Sequence, residues 1–252
     1  MKILLNTTKT MDCESSTPEG LSLSRPRLQA ETKLLAAALK TLDQADLTRL
    51  MDLSTKLAAV TRADLALWGR RGRPRGPALA VFTGLVYKAL DAQTLEPAAW
   101  QRSHDQLRIL SGLYGVLRGL DRIEAYRLEM GCKFQPPGAA NLTAFWKPRL
   151  TALLNRDLKR GEPVINLAAG EYTKALDLKK LKGPVITPVF KEHREDGSLK
   201  VVTVHAKVAR GAMARMILET GLADPADLLA FDHEGWEASC EAPASGEWLF
   251  TR

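Results

Sequence analysis

The chain has 252 residues with 45% hydrophobic and 26% charged side chains, ordinary values for a globular protein that buries a sizeable core. Its net charge of +7 favours a polyanionic partner such as nucleic acid, a nucleotide or a phosphorylated metabolite. Cys13, Cys132 and Cys240 are odd in number and far apart, and no segment reaches membrane-spanning length, so we exclude a disulfide framework and expect a cytoplasmic protein with no membrane contact.

The N-terminal part of the chain predicts one short strand followed by helices. Lys2–Asn6 is an apolar run that predicts a buried strand, and it ends in the hydroxyl-rich turn Thr7–Thr10 around Lys9. Such a turn is typical of an anion grip and equally of a solvated loop. Leucines at helical spacing predict a helix over Leu28–Leu42, and Asp43 and Ser54 are expected to cap two more helices.

Four arginines interleaved with glycine and proline follow these helices, in the segment Arg70, Arg71, Arg73 and Arg75. Such a composition cannot form a regular element, so we predict an exposed basic loop. The loop fits contact with nucleic-acid phosphates as well as it fits a solvated linker.

The middle of the chain predicts a second strand over Ala78–Phe82, a short helix ending at Leu90, and a helix over Glu96–Leu110. The stretch from Leu107 to Gly131 then alternates glycines with donors and charged groups. Its glycines are Gly112, Gly115 and Gly119, and its polar residues are Tyr114, Arg118, Asp121, Arg122, Tyr126, Arg127 and Glu129. Exposed N–H groups at such turns attract anions, so the stretch predicts a phosphate clamp; the alternative is a tight helix-to-strand connection.

The C-terminal part predicts a helix over Leu142–Leu158 and a third strand over Pro163–Ala168, which runs directly into a polar cluster at 169–174. Polar residues just past a strand end occupy the usual ligand position in α/β sheets. Asp196-Gly197 between β-branched runs predicts a hairpin, and Glu247–Thr251 a last strand.

A helix from Ala206 to about Glu219 carries a basic stripe of Lys207, Arg210 and Arg215. The stripe fits a solvated face as well as it fits phosphate contact. No phosphate-binding glycine motif or nucleophile elbow is present, and the four histidines are isolated, so we predict neither a metal site nor a cofactor. Asp121, Glu129 and Glu171 would act as acid or base groups if the fold gathered them; otherwise they form ion pairs.

Taken together, the segments ILLNTTKTMD, LRILSGLYGVLRGLDRIEAYRLEMG, VINLAAGEYTKAL and AKVARGAMARMIL resemble, in this order, the peroxide stress protein YaaA family over nearly the whole chain. The resemblance implies a single domain over residues 1–252 with a mixed α/β (α+β) fold, in which helices surround a central mixed sheet. It further implies a positively charged cleft, a helix-hairpin-helix element, a role in oxidative stress and DNA repair, and binding of double-stranded or branched DNA.

The family pattern maps onto specific positions of this chain. Together with the arginine loop, it predicts the nucleic-acid-binding residues Lys9, Lys56, Arg70, Arg71, Arg73, Arg75, Gly112, Tyr114, Gly115, Arg118, Arg122, Arg127, Lys174, Lys207, Arg210 and Arg215. The alternative is an enzyme acting on a nucleotide or other phosphorylated small molecule, with Lys9, Tyr87, Tyr126, Glu129, Glu171, Tyr172 and Lys174 as candidate catalytic residues. Thr83, Leu85, Ala169 and Gly170 depart from the family pattern, which weakens the case for cleft chemistry more than that for backbone binding.

Overall fold

The computed structural model describes residues 1–239 and 246–252, and Cys240 lies outside them. They form a single mixed α/β domain around an eight-stranded sheet. No helix among these residues has the length and apolar character needed to cross a bilayer.

The described part of the chain contains ten strands. They are β1 (Lys2–Asn6), β2 (Gly76–Pro77), β3 (Leu107–Ser111), β4 (Gly115–Leu117), β5 (Arg122–Ile123), β6 (Val164–Asn166), β7 (Val185–His193), β8 (Leu199–Lys200), β9 (Glu237–Ala238) and β10 (Glu247–Thr251). The main sheet has the order β4-β3-β1-β6-β7-β10-β9, with β8 paired to β7, while β2 and β5 form a separate two-stranded sheet.

Nine α-helices lie within the described residues. They are α1 (Gln29–Lys40), α2 (Gln44–Met51), α3 (Thr55–Leu67), α4 (Ala78–Val81), α5 (Leu85–Leu90), α6 (Pro97–Gln106), α7 (Leu142–Asp157), α8 (Gly170–Thr173) and α9 (Thr203–Thr220). Short 3-10 turns span Ala92–Thr94, Leu178–Lys180 and Pro225–Ala230. The predicted caps are confirmed, since Asp43 accepts from the Asp46 N–H and Ser54 from the Leu57 N–H.

The centre of the sheet is parallel. Strand β1 pairs in parallel with β3 and β6, and β6 pairs in parallel with β7, as β7 does with β10. The inner strands are apolar runs rather than alternating ones, because helices cover both faces of the sheet. Ile3, Leu4 and Leu5 are fully buried, and every residue of β3 is buried.

Two predicted elements are wrong in type. The helix expected to reach Leu110 ends at Gln106, and Leu107–Ser111 is the central strand β3. A short buried apolar run reads equally as helix or strand, and here pairing with β1 decides. Ala78–Val81 is helical instead of extended, because the N–H groups of Ala78 and Leu79 donate to carbonyls of Asp121 and Gly119.

The remaining elements are confirmed, with boundary differences. The hairpin at Asp196-Gly197 joins β7 to β8, but β8 is two residues long and α9 begins already at Thr203. Gly221 ends α9 with a left-handed φ of 69°, as its position predicts. Strand β10 has the predicted bounds.

Candidate functional site at the carboxyl edge of the sheet

Three loops follow the carboxyl ends of β1, β3 and β6, and parallel pairing places these ends at one edge of the sheet. The loops begin at Thr7, Gly112 and Leu167. Asn6 ties two of them together, because its side-chain Oδ1 accepts the N–H of Ala169 at 2.8 Å. In an open α/β sheet, ligands usually bind at this edge. The polar cluster at 169–174 lies here, at the position where the sequence predicts a ligand site.

Tyrosines from separate parts of the chain meet at this edge. Tyr126 Oη lies 2.6 Å from Ser111 Oγ in a buried hydrogen bond, and the Thr7 hydroxyl donates to Tyr172 Oη at 3.2 Å. Tyr87 donates to a backbone carbonyl at the end of β1 at 3.1 Å. The structure therefore brings together three of the predicted catalytic candidates.

Burial raises the pKa of all three tyrosines. The pKa of Tyr87 lies well above its ordinary value, that of Tyr126 is also strongly raised, and that of Tyr172 rises to about 12. These phenols are neutral near physiological pH, so they act as hydrogen-bond donors and acceptors rather than as bases.

A cavity of about 410 Å³, the edge pocket, opens beside these loops. Lys9 Nζ lies 3.2 Å from a carboxylate oxygen of Glu129, and Glu171 accepts the N–H of Gly131 at 2.7 Å. The charged residues that line the edge pocket are Lys9, Arg49, Asp52, Glu129, Lys133 and Glu171. Three cations face three acids there, so the edge pocket has a polar, charge-balanced lining rather than the expected positive one.

Sequence reasoning missed several residues of this edge. Arg49 and Lys133 line the edge pocket, and the Thr187 hydroxyl of β7 accepts a hydrogen bond from the Asn166 side chain at 3.3 Å. No local pattern signalled these residues, because tertiary packing alone brings Arg49, Lys133 and Thr187 to this edge.

The turn between α2 and α3 forms one wall of the edge pocket. Asp52 takes a left-handed φ of 52°, which reverses the chain between the two helices, and Ser54 caps α3. Lys56, in the first turn of α3, is exposed. The structure thus contains a helical hairpin with a cation at its tip.

The arginine loop is irregular and surface-exposed, as predicted, but its arginines differ. Arg70 and Arg71 are exposed and form no ion pair within the described part of the chain. Arg73 pairs with Asp64 at 3.2 Å. The Arg75 side chain is 36% exposed, but its guanidinium forms an ion pair with Glu124, which is only 4% exposed, so this charge is engaged within the protein.

The glycines of the central stretch are buried, which contradicts the predicted clamp of exposed N–H groups. A Cβ on Gly112 would lie 2.3 Å from the Leu128 carbonyl oxygen, and one on Gly115 would lie 2.6 Å from the Trp146 ring. Gly112 and Gly115 belong to the β3–β4 hairpin, so helix-hairpin-helix geometry at this position is wrong. Tyr114 is also buried, and its hydroxyl accepts the N–H of Glu124.

The charged residues of the central stretch follow the ion-pair alternative. Arg118 donates to Asp121, which is fully buried, and Arg127 lies 4.0 Å from Glu129. Arg122 is exposed. The structure therefore joins Glu129 and Glu171 at the edge pocket and leaves Asp121 in a structural pair elsewhere.

The three cations of the basic stripe on α9 lie in different environments. Arg215 donates to carbonyl oxygens of Leu90 and Asp91 and pairs with Glu219, so it holds α9 against α5. Lys207 is exposed, and burial lowers the pKa of the half-buried Arg210. Lys174, just after α8, is exposed at the carboxyl edge.

Comparison with known proteins finds relatives along nearly the whole chain. The family model for "Peroxide stress protein YaaA" matches residues 1–242. A UPF0246 protein from Flavobacterium johnsoniae is 39% identical over 254 residues, covering 100% of both chains. Another from Marinomonas is 41% identical, covering 100% of this chain and 97% of the relative. A third from Cereibacter sphaeroides is 44% identical, covering 93% of this chain and 92% of the relative.

The family model covers both the loops of the carboxyl edge and the α2–α3 hairpin, and the relatives align over almost their full length. Such coverage at this identity leaves the predicted resemblance confirmed: the chain is a member of the peroxide stress protein YaaA family.

Proposed function

We propose that this peroxide stress protein binds double-stranded or branched DNA through phosphate contacts, with little sequence preference. One observation carries the proposal. Residues 54–76 contain six cations, namely Lys56, Arg62, Arg70, Arg71, Arg73 and Arg75, against the single acid Asp64. Arg73 and Arg75 are paired with Asp64 and Glu124, so four cations of this segment, Lys56, Arg62, Arg70 and Arg71, form no ion pair with a described residue. Concentrated positive charge on one surface is the electrostatic footprint of phosphate binding.

The geometry of α3 supports this surface as an interface. The helix has 13 residues, hence a length of about 20 Å, equivalent to about six base-pair steps along a duplex. Lys56 lies at one end, Arg62 is exposed between, and Arg70 and Arg71 follow the other end. Cations spaced along such a length match a row of phosphates rather than a single small anion.

The α2–α3 hairpin is our proposal for the helix-hairpin-helix element that family membership implies. It consists of two helices joined by the three residues Asp52, Leu53 and Ser54. The Ser54 hydroxyl accepts the N–H of Leu57, so the N–H groups of Thr55 and Lys56, which have no acceptor within the helix, are available to a phosphate oxygen. Lys9 and Lys133 line the adjacent edge pocket and add cations beside the hairpin.

The proposed interface is smaller than the predicted residue set. Lys9, Lys56, Arg70, Arg71 and Lys174 are exposed and remain in it. Residues that are buried or held in structural ion pairs leave it: Gly112, Tyr114, Gly115, Arg75, Arg118 and Arg215. The remaining predicted contacts, Arg73, Arg122, Arg127, Lys207 and Arg210, lie outside this core interface.

Fluorescence anisotropy of a labelled duplex, titrated at several salt concentrations, tests the proposal. We compare the wild type with the triple variant Lys56→Ala, Arg70→Ala, Arg71→Ala. The slope of log affinity against log salt should fall by about 0.9 for each phosphate contact removed. Two unrelated duplex sequences should bind equally.

A charge-matched control separates this surface from net charge. Lys159, Arg160 and Lys182 are exposed near the start of β6, at the opposite edge of the sheet. Replacing these three by alanine removes the same charge and should leave the salt slope close to that of the wild type. Equal weakening by both triple variants, or no wild-type binding, would rule out the α3 interface.

A second candidate function is catalysis on a nucleotide or another phosphorylated small molecule at the carboxyl edge. The observation favouring it is that Lys9, Tyr126, Glu129, Glu171 and Tyr172 converge from separate loops. Phosphate release from a panel of nucleoside phosphates tests it. Glu171→Gln, which lies outside the proposed DNA interface, should abolish turnover while leaving duplex binding within about twofold.

The proposed location is the cytoplasm, where the DNA is. Among the described residues Cys13 and Cys132 form no disulfide, which supports a reducing compartment.

A further inference from the structure

A second cavity, of about 470 Å³, lies away from the edge pocket, between the start of α1, the end of α3 and strand β5. We name it the basic pocket. Its charged lining consists of Arg25, Lys33, Arg75, Arg122 and Glu124. Its volume falls in the range of small-molecule sites.

The only acid in this lining is already neutralised. Glu124 accepts two hydrogen bonds from the guanidinium of Arg75, at 2.8 and 2.5 Å, and one from the N–H of Gly69 at 2.8 Å. Its carboxylate therefore offers little net negative charge to the pocket. The ion pair of Arg75 and Glu124 is thus a lining element whose charges compensate each other.

The three remaining cations are uncompensated. Arg25, Lys33 and Arg122 are exposed, and their side chains make no ion pair or hydrogen bond with any described residue. They come from the loop before α1, from α1 itself and from β5, so folding alone brings them around one concavity. Clefts lined by one sign of charge focus the field and concentrate the opposite ion.

The two cavities differ in the ligand they favour. The edge pocket sets three cations against three acids, whereas the basic pocket sets four cations against one acid. The electrostatic attraction for an anion is therefore stronger in the basic pocket than in the edge pocket. A phosphomonoester carries nearly two negative charges at neutral pH, and an internal phosphodiester one, so three free cations favour the monoester.

The apolar part of the lining indicates the rest of the ligand. Trp68, Leu23 and Pro26 lie on the same cavity as the cations. An indole and a proline ring provide a flat apolar surface against which a base or a sugar can pack.

We propose that the basic pocket binds a nucleotide-like phosphomonoester. Its phosphate lies among Arg25, Lys33 and Arg122, and its organic part lies against Trp68. The source is either a free mononucleotide or the 5′-phosphate end of a DNA strand. This site lies beside the end of α3, but its phosphate-binding residues are not part of the α3 interface, and the proposal does not rest on duplex binding.

Isothermal titration calorimetry with dAMP tests the site. We compare the full-length wild type with Lys33→Ala and Arg122→Ala, both exposed positions whose replacement leaves the Arg75–Glu124 pair in place. Each variant should bind dAMP about tenfold more weakly, because a charge-assisted hydrogen bond is lost. Arg160→Ala, a charge-matched change at the far edge of the sheet, and Lys56→Ala, in the α3 interface, should both bind as the wild type does.

Short single strands with a 5′-phosphate or a 5′-hydroxyl distinguish the two sources. A preference for the phosphorylated strand that Arg122→Ala abolishes assigns the pocket to strand ends. Binding of dAMP without such a preference assigns it to a free mononucleotide. The proposal is overturned when neither dAMP nor the phosphorylated strand binds, or when both bind Lys33→Ala and Arg122→Ala as tightly as the wild type. Loss of duplex binding in the α3 variants with unchanged dAMP binding would separate the two sites.

Discussion

Arg75 and Glu124 form an ion pair in which the carboxylate is 4% exposed and the guanidinium donates through both Nε and Nη2. The pair anchors the end of the arginine loop to the segment after β5. It explains why two arginines of one loop, Arg73 and Arg75, have different roles: the first pairs at the surface and the second fixes the loop to the core.

Replacing Arg75 by alanine should therefore destabilise the fold. The change leaves Glu124 buried without its counter-ion, and because the Arg75 side chain is 36% exposed we expect a loss of about 1–3 kcal/mol in the free energy of unfolding. Arg73→Ala is the matched control. It removes a 3.2 Å pair with the 48% exposed Asp64, which should cost about 0–1 kcal/mol. Urea denaturation measures both, and similar losses would contradict a structural role specific to Arg75.

Asp157, at the end of α7, predicts a pH dependence of stability. Burial alone would raise its pKa, but hydrogen bonds from Arg27 and the nearby charge of Arg108 outweigh this effect and lower the pKa from 3.8 to about 2. A lowered folded-state pKa favours the ionised form. Its stabilisation is therefore complete above pH 3.8 and is lost as the pH falls toward about 2.

The Asp157→Asn variant tests this assignment. At neutral pH it should lose about 1–3 kcal/mol, because Arg108, whose side chain is 5% exposed, is left without its counter-ion. Between pH 5 and pH 2, its urea midpoint should change less than that of the wild type. Parallel curves for the two proteins would show that other carboxylates dominate acid unfolding.

The buried tyrosines predict a loss of folding stability at high pH. All four tyrosines of the chain are buried, and burial raises the pKa of each, that of Tyr172 from 10.0 to about 12. Since the folded protein keeps these protons longer than the unfolded chain, their stabilisation is complete below pH 10.0 and falls as the pH rises above it.

Phenolate absorbance measures the ionisation of the tyrosines as the pH rises. The native protein should show almost no phenolate at the pH at which the urea-unfolded chain is half ionised. Tyr172→Phe should remove the earliest part of the native titration. A native titration centred near the ordinary value of 10.0 would contradict the buried hydroxyl cluster.

Gly112 allows β3 to approach the Leu128 backbone closely. The Gly112→Ala change should destabilise the fold by about 1–3 kcal/mol, because the added Cβ would meet a backbone oxygen at 2.3 Å. Gly170 is the matched control, since a Cβ there meets nothing within 4 Å. Thermal unfolding of the two variants compares them, and equal melting temperatures would show that the β3–β4 hairpin accommodates the methyl group.

The short elements show which features of the fold could not be predicted from sequence patterns. The run Leu107–Ser111 carries leucines that suit a helix, yet pairing with β1 makes it the buried central strand. Lys2–Asn6 and Glu247–Thr251 have the predicted bounds because local signals and tertiary pairing agree there. Asp43, Ser54 and Gly221 were predictable for a related reason: a helix end is satisfied by groups close in sequence.

The sequence by itself determined the mixed α/β class, the family and the concentration of charge around α3, because these depend on composition, periodicity and neighbouring residues. Only the tertiary structure decided which cations remain free. Arg75 donates to Glu124, 49 residues away, and Arg215 donates to the carbonyl of Leu90, 125 residues away. Arg25, Lys33 and Arg122 instead converge on one pocket, and their side chains have no partner among the described residues. The physical reason is that charge belongs to a residue, whereas its neutralisation depends on what the fold brings within a few ångströms.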